Sequence, residues 1–495
     1  MNYLDFAFLA PFAGALFLAI SVFLYARANA NTSKGMAITG VALIMIGLLA
    51  PMWYMPGNAT PPSNTTDYIP VTYIFEKDVQ YYVFSDKTDQ LLGVGTDFDN
   101  LFDQVMANAI NGDSIYFKPG TYFTDDELVV NKSIRIYGDG YYSEIKANGA
   151  ITSIFELTAS YSRLESIEVD SNGYADIGVY IHGASRCELY RVEATDAVID
   201  NFRIDNAGTQ RTGNKLDRCI GAEAGRYNLY IGDEQTDNWV TGCTFKDSDY
   251  TGTDAGIACD ASGQQFSNNH IWGNQYGYLL APTTSIVRFQ IIGDYIESNV
   301  LANIYNAGTC HSAYDGVITD NVFWSNSEAH GLVGINLDAT GSYYSQRLLI
   351  NNNVFEGQSY ADTAVIFGDH ARANTLIGNT FYTYTGANGA VYYNGGGGGG
   401  IYNIMNDNSG FVTENHGLAV LLNATTSIDV THGLDYTPSR GDINVVLAEF
   451  IDSDGTEGKF YVSATTSTTF TVQLHHAPSE DVSFYWSVRR TRTFP

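Results

Sequence analysis

Hydrophobic positions along the chain follow three different patterns. At the start, residues 6–25 and 36–54 are almost continuously apolar, and each run is near the roughly 20 residues a helix needs to cross about 30 Å of hydrocarbon. From Leu164 to Phe381 apolar positions come instead in short segments, each introduced by Asn, Asp or Gly: Gly242-Cys243-Thr244-Phe245, Asn268-Asn269-His270-Ile271, Gly293-Asp294-Tyr295-Ile296, Asp320-Asn321-Val322-Phe323, Asn352-Asn353-Val354-Phe355 and Gly378-Asn379-Thr380-Phe381. From Phe245 to Phe381 the successive intervals are 26, 25, 27, 32 and 26 residues, and Ile167, Val192 and Ile220 extend the series upstream at 25, 28 and 25. After about Glu414 the pattern becomes that of five short strands, at 419–422, 443–450, 459–462, 469–474 and 482–488.

A recurrence of this length marks a solenoid, and β-branched and aromatic segments set between Asn and Gly turns make it a β-solenoid. Asn tolerates left-handed backbone at the turn and can hydrogen-bond its counterpart on the next coil. Upstream, 97–110 places Phe98, Leu101, Phe102, Val105 and Ala109 on one helical face with Thr96 or Asp97 as N-cap, positioned to cover the first coil. If Phe245, Ile271, Ile296, Phe323, Phe355 and Phe381 face inward, the next residue of each faces out. That outer stripe reads Lys246, Trp272, Glu297, Trp324, Glu356, Tyr382. It offers aromatic faces for sugar rings and carboxylates for their hydroxyls.

The loop between the two apolar runs carries Arg27 and Lys34, whereas no Lys or Arg follows the second run until Lys77. By the positive-inside rule the loop is cytoplasmic and the rest of the chain is outside. The alternative, a signal peptide followed by one anchor, leaves the large domain on the same side. Residues 56–70 read as a stalk rich in Pro, Asn, Thr and Ser, with glycosylation acceptors at Asn58 and Asn64. The expected layout is a transmembrane helical hairpin at 1–55, stalk and lead-in at 56–95, a parallel β-helix with its capping helix at 96–410, and a β-sandwich domain at 414–495.

Composition narrows the partners. The 495 residues carry a formal charge of −29, so nucleic acid is repelled, and 49 Gly with 35 Tyr suit a turn-rich β architecture. The five cysteines, Cys187, Cys219, Cys243, Cys259 and Cys310, lack zinc-ligand spacing. Cys219 and Cys243 fall on neighbouring coils, close enough for a disulfide, although a buried small hydrophobe is the simpler role for each.

Two segments carry a resemblance. Asp113-Ser114-Ile115-Tyr116-Phe117-Lys118-Pro119-Gly120-Thr121-Tyr122 and Ser133-Ile134-Arg135-Ile136-Tyr137-Gly138-Asp139-Gly140 resemble the opening strands of the pectate-lyase-like superfamily, over roughly 96–410. The resemblance implies a mainly β, right-handed parallel β-helix. Thr431-His432-Gly433-Leu434-Asp435-Tyr436-Thr437-Pro438-Ser439, with Thr468-Thr469-Phe470-Thr471-Val472 and Val482-Ser483-Phe484-Tyr485-Trp486, resembles C-terminal modules of viral tail fibres and tailspikes, which implies host-surface recognition and a homotrimer.

The superfamily includes lyases, hydrolases, epimerases and adhesins, so the site is argued separately. Neither a paired-Asp motif nor Gly-His-Gly is present, and no run matches a lyase Asp cluster with Arg or Lys nearby; Ca2+ is the one ion that resemblance would admit. Carbohydrate binding is expected at Trp272, Glu297, Trp324, Glu356 and Tyr382. Catalytic candidates are Glu297 and Glu356, roughly 9.6 Å apart by coil spacing, and the mixed cluster Asp362, Asp369, His370 and Arg372. Two readings follow: a membrane-anchored attachment spike that binds surface glycan, or a membrane-tethered enzyme that cuts or modifies polysaccharide.

Overall fold

The computed structural model describes residues 70–489 other than 89, 206–207, 209, 250–251, 253, 325–332, 339–342, 358–362, 369, 383–389, 395–402, 410–413, 435–437, 439 and 448–458. The two apolar runs at 6–25 and 36–54, the stalk with Asn58 and Asn64, and the candidates Asp362 and Asp369 lie outside the described residues. Among the described residues no helix is long and apolar enough to cross a membrane.

From Ser114 to Asn406 the described strands wind as a right-handed parallel β-helix. The lead-in contains Thr72–Lys77, Tyr81–Ser85 and Gln90–Gly95, which form an antiparallel meander. Its first strand pairs in parallel with Ser114–Phe117 and so becomes the first rung of the solenoid. Helix α1, Phe98–Asn108, follows, with the Asp97 carboxylate accepting from the Asn100 amide at 3.0 Å as N-cap. Phe98 and Phe102 press onto Phe75, Phe117 and Phe155, which closes the open end of the core. Lys132 donates to the carbonyls of Met106 (2.6 Å) and Ala109, satisfying groups that a helix C-terminus leaves unpaired.

Turning and coil-to-coil hydrogen bonding fall to two successive positions rather than to one Asn. Gly242, Asn268, Gly293, Asp320, Asn352 and Gly378 take left-handed backbone, with φ between 54° and 69°. The residue after each turns inward and is buried: Cys243, Asn269, Asp294, Asn321, Asn353 and Asn379. Within this file the Asn321 side-chain amide donates to Asn353 (2.9 Å), and Asn353 and Asn379 donate to Asn379 and Asn408 (3.0 Å each). Each carboxamide oxygen also accepts a backbone amide from the coil before, as Asn353 does from Asn321 at 3.0 Å. From Asn321 to Asn408 the polar side chains of this file therefore stack inside the solenoid with their amide groups paired. A second file runs through Asn214, Asn238 and Gln264, and a third through Asn201, Asn228, Asn274 and Asn299.

Phe245, Ile271, Ile296, Phe323, Phe355 and Phe381 pair in register from coil to coil and are all buried. The Phe323, Phe355 and Phe381 rings stack at 4.6 and 5.0 Å. The five cysteines are free and buried, with the Cys219 amide donating to Cys243 Sγ at 3.3 Å.

The described strands between 414 and 489 form two antiparallel sheets. One contains Glu414–Leu421, Val482–Arg489 and Ile443–Leu447; the other contains Ser427–Thr431, Thr469–Leu474 and Phe460–Thr465. Leu421, Phe470, Val472, Leu474, Phe484 and Trp486 share one core, with Phe470 edge-on to Trp486 at 5.4 Å. Ser427–Thr431 is a sixth strand that the sequence reading missed, because only Ile428 and Val430 mark its alternation.

Candidate carbohydrate-facing site

Three-residue strands define the outer surface of one solenoid face. Thr244–Lys246, His270–Trp272, Tyr295–Glu297, Val322–Trp324, Val354–Glu356 and Thr380–Tyr382 stack in parallel, and each buries only its central residue. Register therefore places Lys246, Trp272, Glu297, Trp324, Glu356 and Tyr382 in one outward column, one residue per coil. Glu356 and Tyr382 are exposed, while Lys246, Trp272, Glu297 and Trp324 are half-buried.

The flanking column, Thr244, His270, Tyr295, Val322, Val354 and Thr380, adds two groups that the sequence reading missed. His270 Nε2 lies 2.8 Å from Glu297 Oε1, and its ring centre is 5.1 Å from that of Tyr295. Burial raises the Tyr295 phenol above its usual pKa, and the Glu297 and Glu356 carboxylates add to the shift. Lys246 Nζ stands 5.3 Å from the Trp272 ring centre, the one lysine in the column. The result is a strip of aromatic faces and carboxylates whose Glu297 is held by a histidine.

His370 and Arg372 lie elsewhere, on the corner formed by Ile286–Val287, Ala313–Tyr314, Ser345–Gln346 and Ala371–Arg372. There the Arg372 guanidinium sits 4.3 Å from the Tyr344 ring centre and His370 meets the same ring edge-on at 5.3 Å. Neither stands in the column with Glu297 or Glu356, and Asp362 and Asp369, the other two members of the mixed cluster, lie outside the described residues.

A second polar group occupies the outer face of the sheet that includes Ile151–Leu157, Ala175–His182, Asp200–Asp205 and Tyr227–Ile231. His182 stacks on Tyr180 at 4.6 Å and lies 2.6 Å from Glu156. Arg203 bridges Asp200 and Asp205 at 3.3 and 2.8 Å, and Arg226 forks onto Asp200 at 3.0 and 2.7 Å. Both guanidinium groups are engaged by protein carboxylates, although Arg203 Nε has no partner, and this pairing suits a structural role.

No protein-family model matches the chain, and no curated protein matches it. Solved structures do. The Dettilon tailspike protein aligns at a TM-score of 0.50 and 12% identity, over 79% of this chain and 90% of its own. The tailspike protein gp49 from Pseudomonas phage LKA1 aligns at 0.48 and 12%, over 78% and 91%. The A-module of the Azotobacter vinelandii mannuronan C-5 epimerase AlgE6 aligns at 0.48 and 14%, over 62% and 94%. At such identities the likeness is one of fold. The chain has the right-handed parallel β-helix fold of the pectate-lyase and tailspike type.

Proposed function

We propose that this protein is a surface-displayed attachment protein whose β-helix binds carbohydrate through the outward column. The observation that carries the reading is the register of Trp272, Glu297, Trp324, Glu356 and Tyr382. It lines up aromatic platforms with carboxylates on rigid strands, the arrangement that orients a polyhydroxylated ligand at low entropic cost. Tailspikes among the structures of similar fold support the attachment role by analogy. The apolar runs at 6–25 and 36–54 serve as membrane anchors, with the β-helix outside and residues 414–495 as a β-sandwich module that joins copies of the chain. A glycan microarray probed with the full-length chain tests the reading; retained glycans support it, and a blank array rejects it.

The second reading is a polysaccharide-modifying enzyme, favoured by the 2.8 Å contact that orients Glu297 against His270 with Glu356 two coils away. Release of reducing ends or unsaturated products, lost in Glu297→Gln, would establish it. Binding without turnover would leave the attachment role.

A further inference from the structure

We infer that the column takes a linear 1,4-linked glycan lying along the solenoid axis, and that its sugars are amino sugars rather than uronates; this rests on the carbohydrate-binding reading above. Two features of the column lead there, one of spacing and one of charge.

Aromatic residues stand on alternate coils, Trp272, Trp324 and Tyr382, and carboxylates on the coils between, Glu297 and Glu356. With coils about 4.8 Å apart, the platforms recur about every 9.6 Å. That is close to the length of a two-sugar repeat in an extended β-1,4-linked chain, whose alternate rings present the same face to one side. Each second ring stacks on an aromatic side chain, and each intervening ring brings its substituents to a carboxylate. A glycan crossing the column at right angles would meet one platform only.

Charge then selects the substituent. The intervening sugars face Glu297 and Glu356, the only cation in the column is Lys246 at one end, and the whole chain carries −29. A uronate would set carboxylate against carboxylate in a field that already repels it. A protonated amine gains a charge-assisted hydrogen bond from glutamate and is drawn to the flanking aromatic faces. His270 holds Glu297 at 2.8 Å and Glu356 is exposed, so Glu356 is the carboxylate more open to an incoming amine.

Isothermal titration of the full-length chain in mildly acidic buffer, with β-1,4-linked hexasaccharides of glucosamine, N-acetylglucosamine and mannuronic acid, tests this. The glucosamine oligomer should bind at least about tenfold more tightly than the uronate, and added salt should weaken it. Glu356→Gln, an exposed change that leaves the thermal melt in place, should lower glucosamine affinity several-fold while sparing the N-acetylated oligomer. Preference for the uronate, or equal and salt-independent binding of amine and acetamide, overturns the inference and leaves carbohydrate binding standing. No binding to any of the three overturns it as well, and a full glycan array then decides whether the functional reading falls with it.

Discussion

The Tyr278 phenol donates a hydrogen bond to the carboxylate of Asp294, a buried acid standing in a file where the adjacent coils carry Asn269 and Asn321. Asp294 accepts from the Asn269 amide at 2.7 Å as an asparagine would, but ionised it cannot donate to the preceding coil as Asn321 does to the Ile291 carbonyl at 3.0 Å. Burial pushes its carboxyl up to about 7, against an unfolded value of about 3.9.

The sign of the pH dependence follows. With a folded value above the unfolded one, the favourable contribution of Asp294 is complete below about pH 3.9, declines as pH rises, and is lost above about 7. Asp294→Asn supplies the missing donor and removes the ionisation. It should stabilise the protein by on the order of 2 kcal/mol in mildly alkaline solution and by little in acid. Urea unfolding of both proteins across that range checks it, and parallel pH profiles would count against the assignment.

Asparagine stacking should matter most in the middle of a file. Asn353 makes contacts on both sides, accepting from Asn321 and donating to Asn379 and to the Ile318 carbonyl at 3.0 Å. Asn353→Leu should cost about 1–3 kcal/mol for each buried group left unpaired. Asn408, where the file ends among the described residues, should cost less when replaced alike; denaturant midpoints compare them.

The buried Asp200 carboxylate is shared by Arg203 and Arg226. Asp200→Ala leaves two guanidinium groups facing one another without their common partner and should destabilise by about 3–5 kcal/mol. The same change should leave glycan affinity alone in the fraction that folds, because this network lies on the other sheet.

Much of the solenoid is legible in the sequence because coil spacing and strand alternation are local patterns. The inward set from Phe245 to Phe381 and the outward column follow from a period of two inside each three-residue strand. His270 and Tyr295 obey the same rule one step earlier, on the other side of each inward residue, where the mixed run Thr244, His270, Tyr295, Val322, Val354, Thr380 shows no shared chemistry. The Asp200, Arg203 and Arg226 network was out of reach: it depends on which strands of a different sheet become neighbours, and no residue spacing announces that. Closeness in sequence groups His370 and Arg372 with Asp362 and Asp369; the two acids lie outside the described residues, and the contact of His370 and Arg372 with Tyr344 is not announced by any spacing.

Affinity for a glycan captured by the intact chain, measured for Trp324→Ala beside Tyr230→Ala, tests the central claim most directly. Both changes remove a half-buried aromatic side chain, one from the column and one from the opposite sheet. The account predicts that Trp324→Ala weakens binding by about tenfold or more while Tyr230→Ala leaves it unchanged. Equal loss in both, or loss only with Tyr230→Ala, would contradict it.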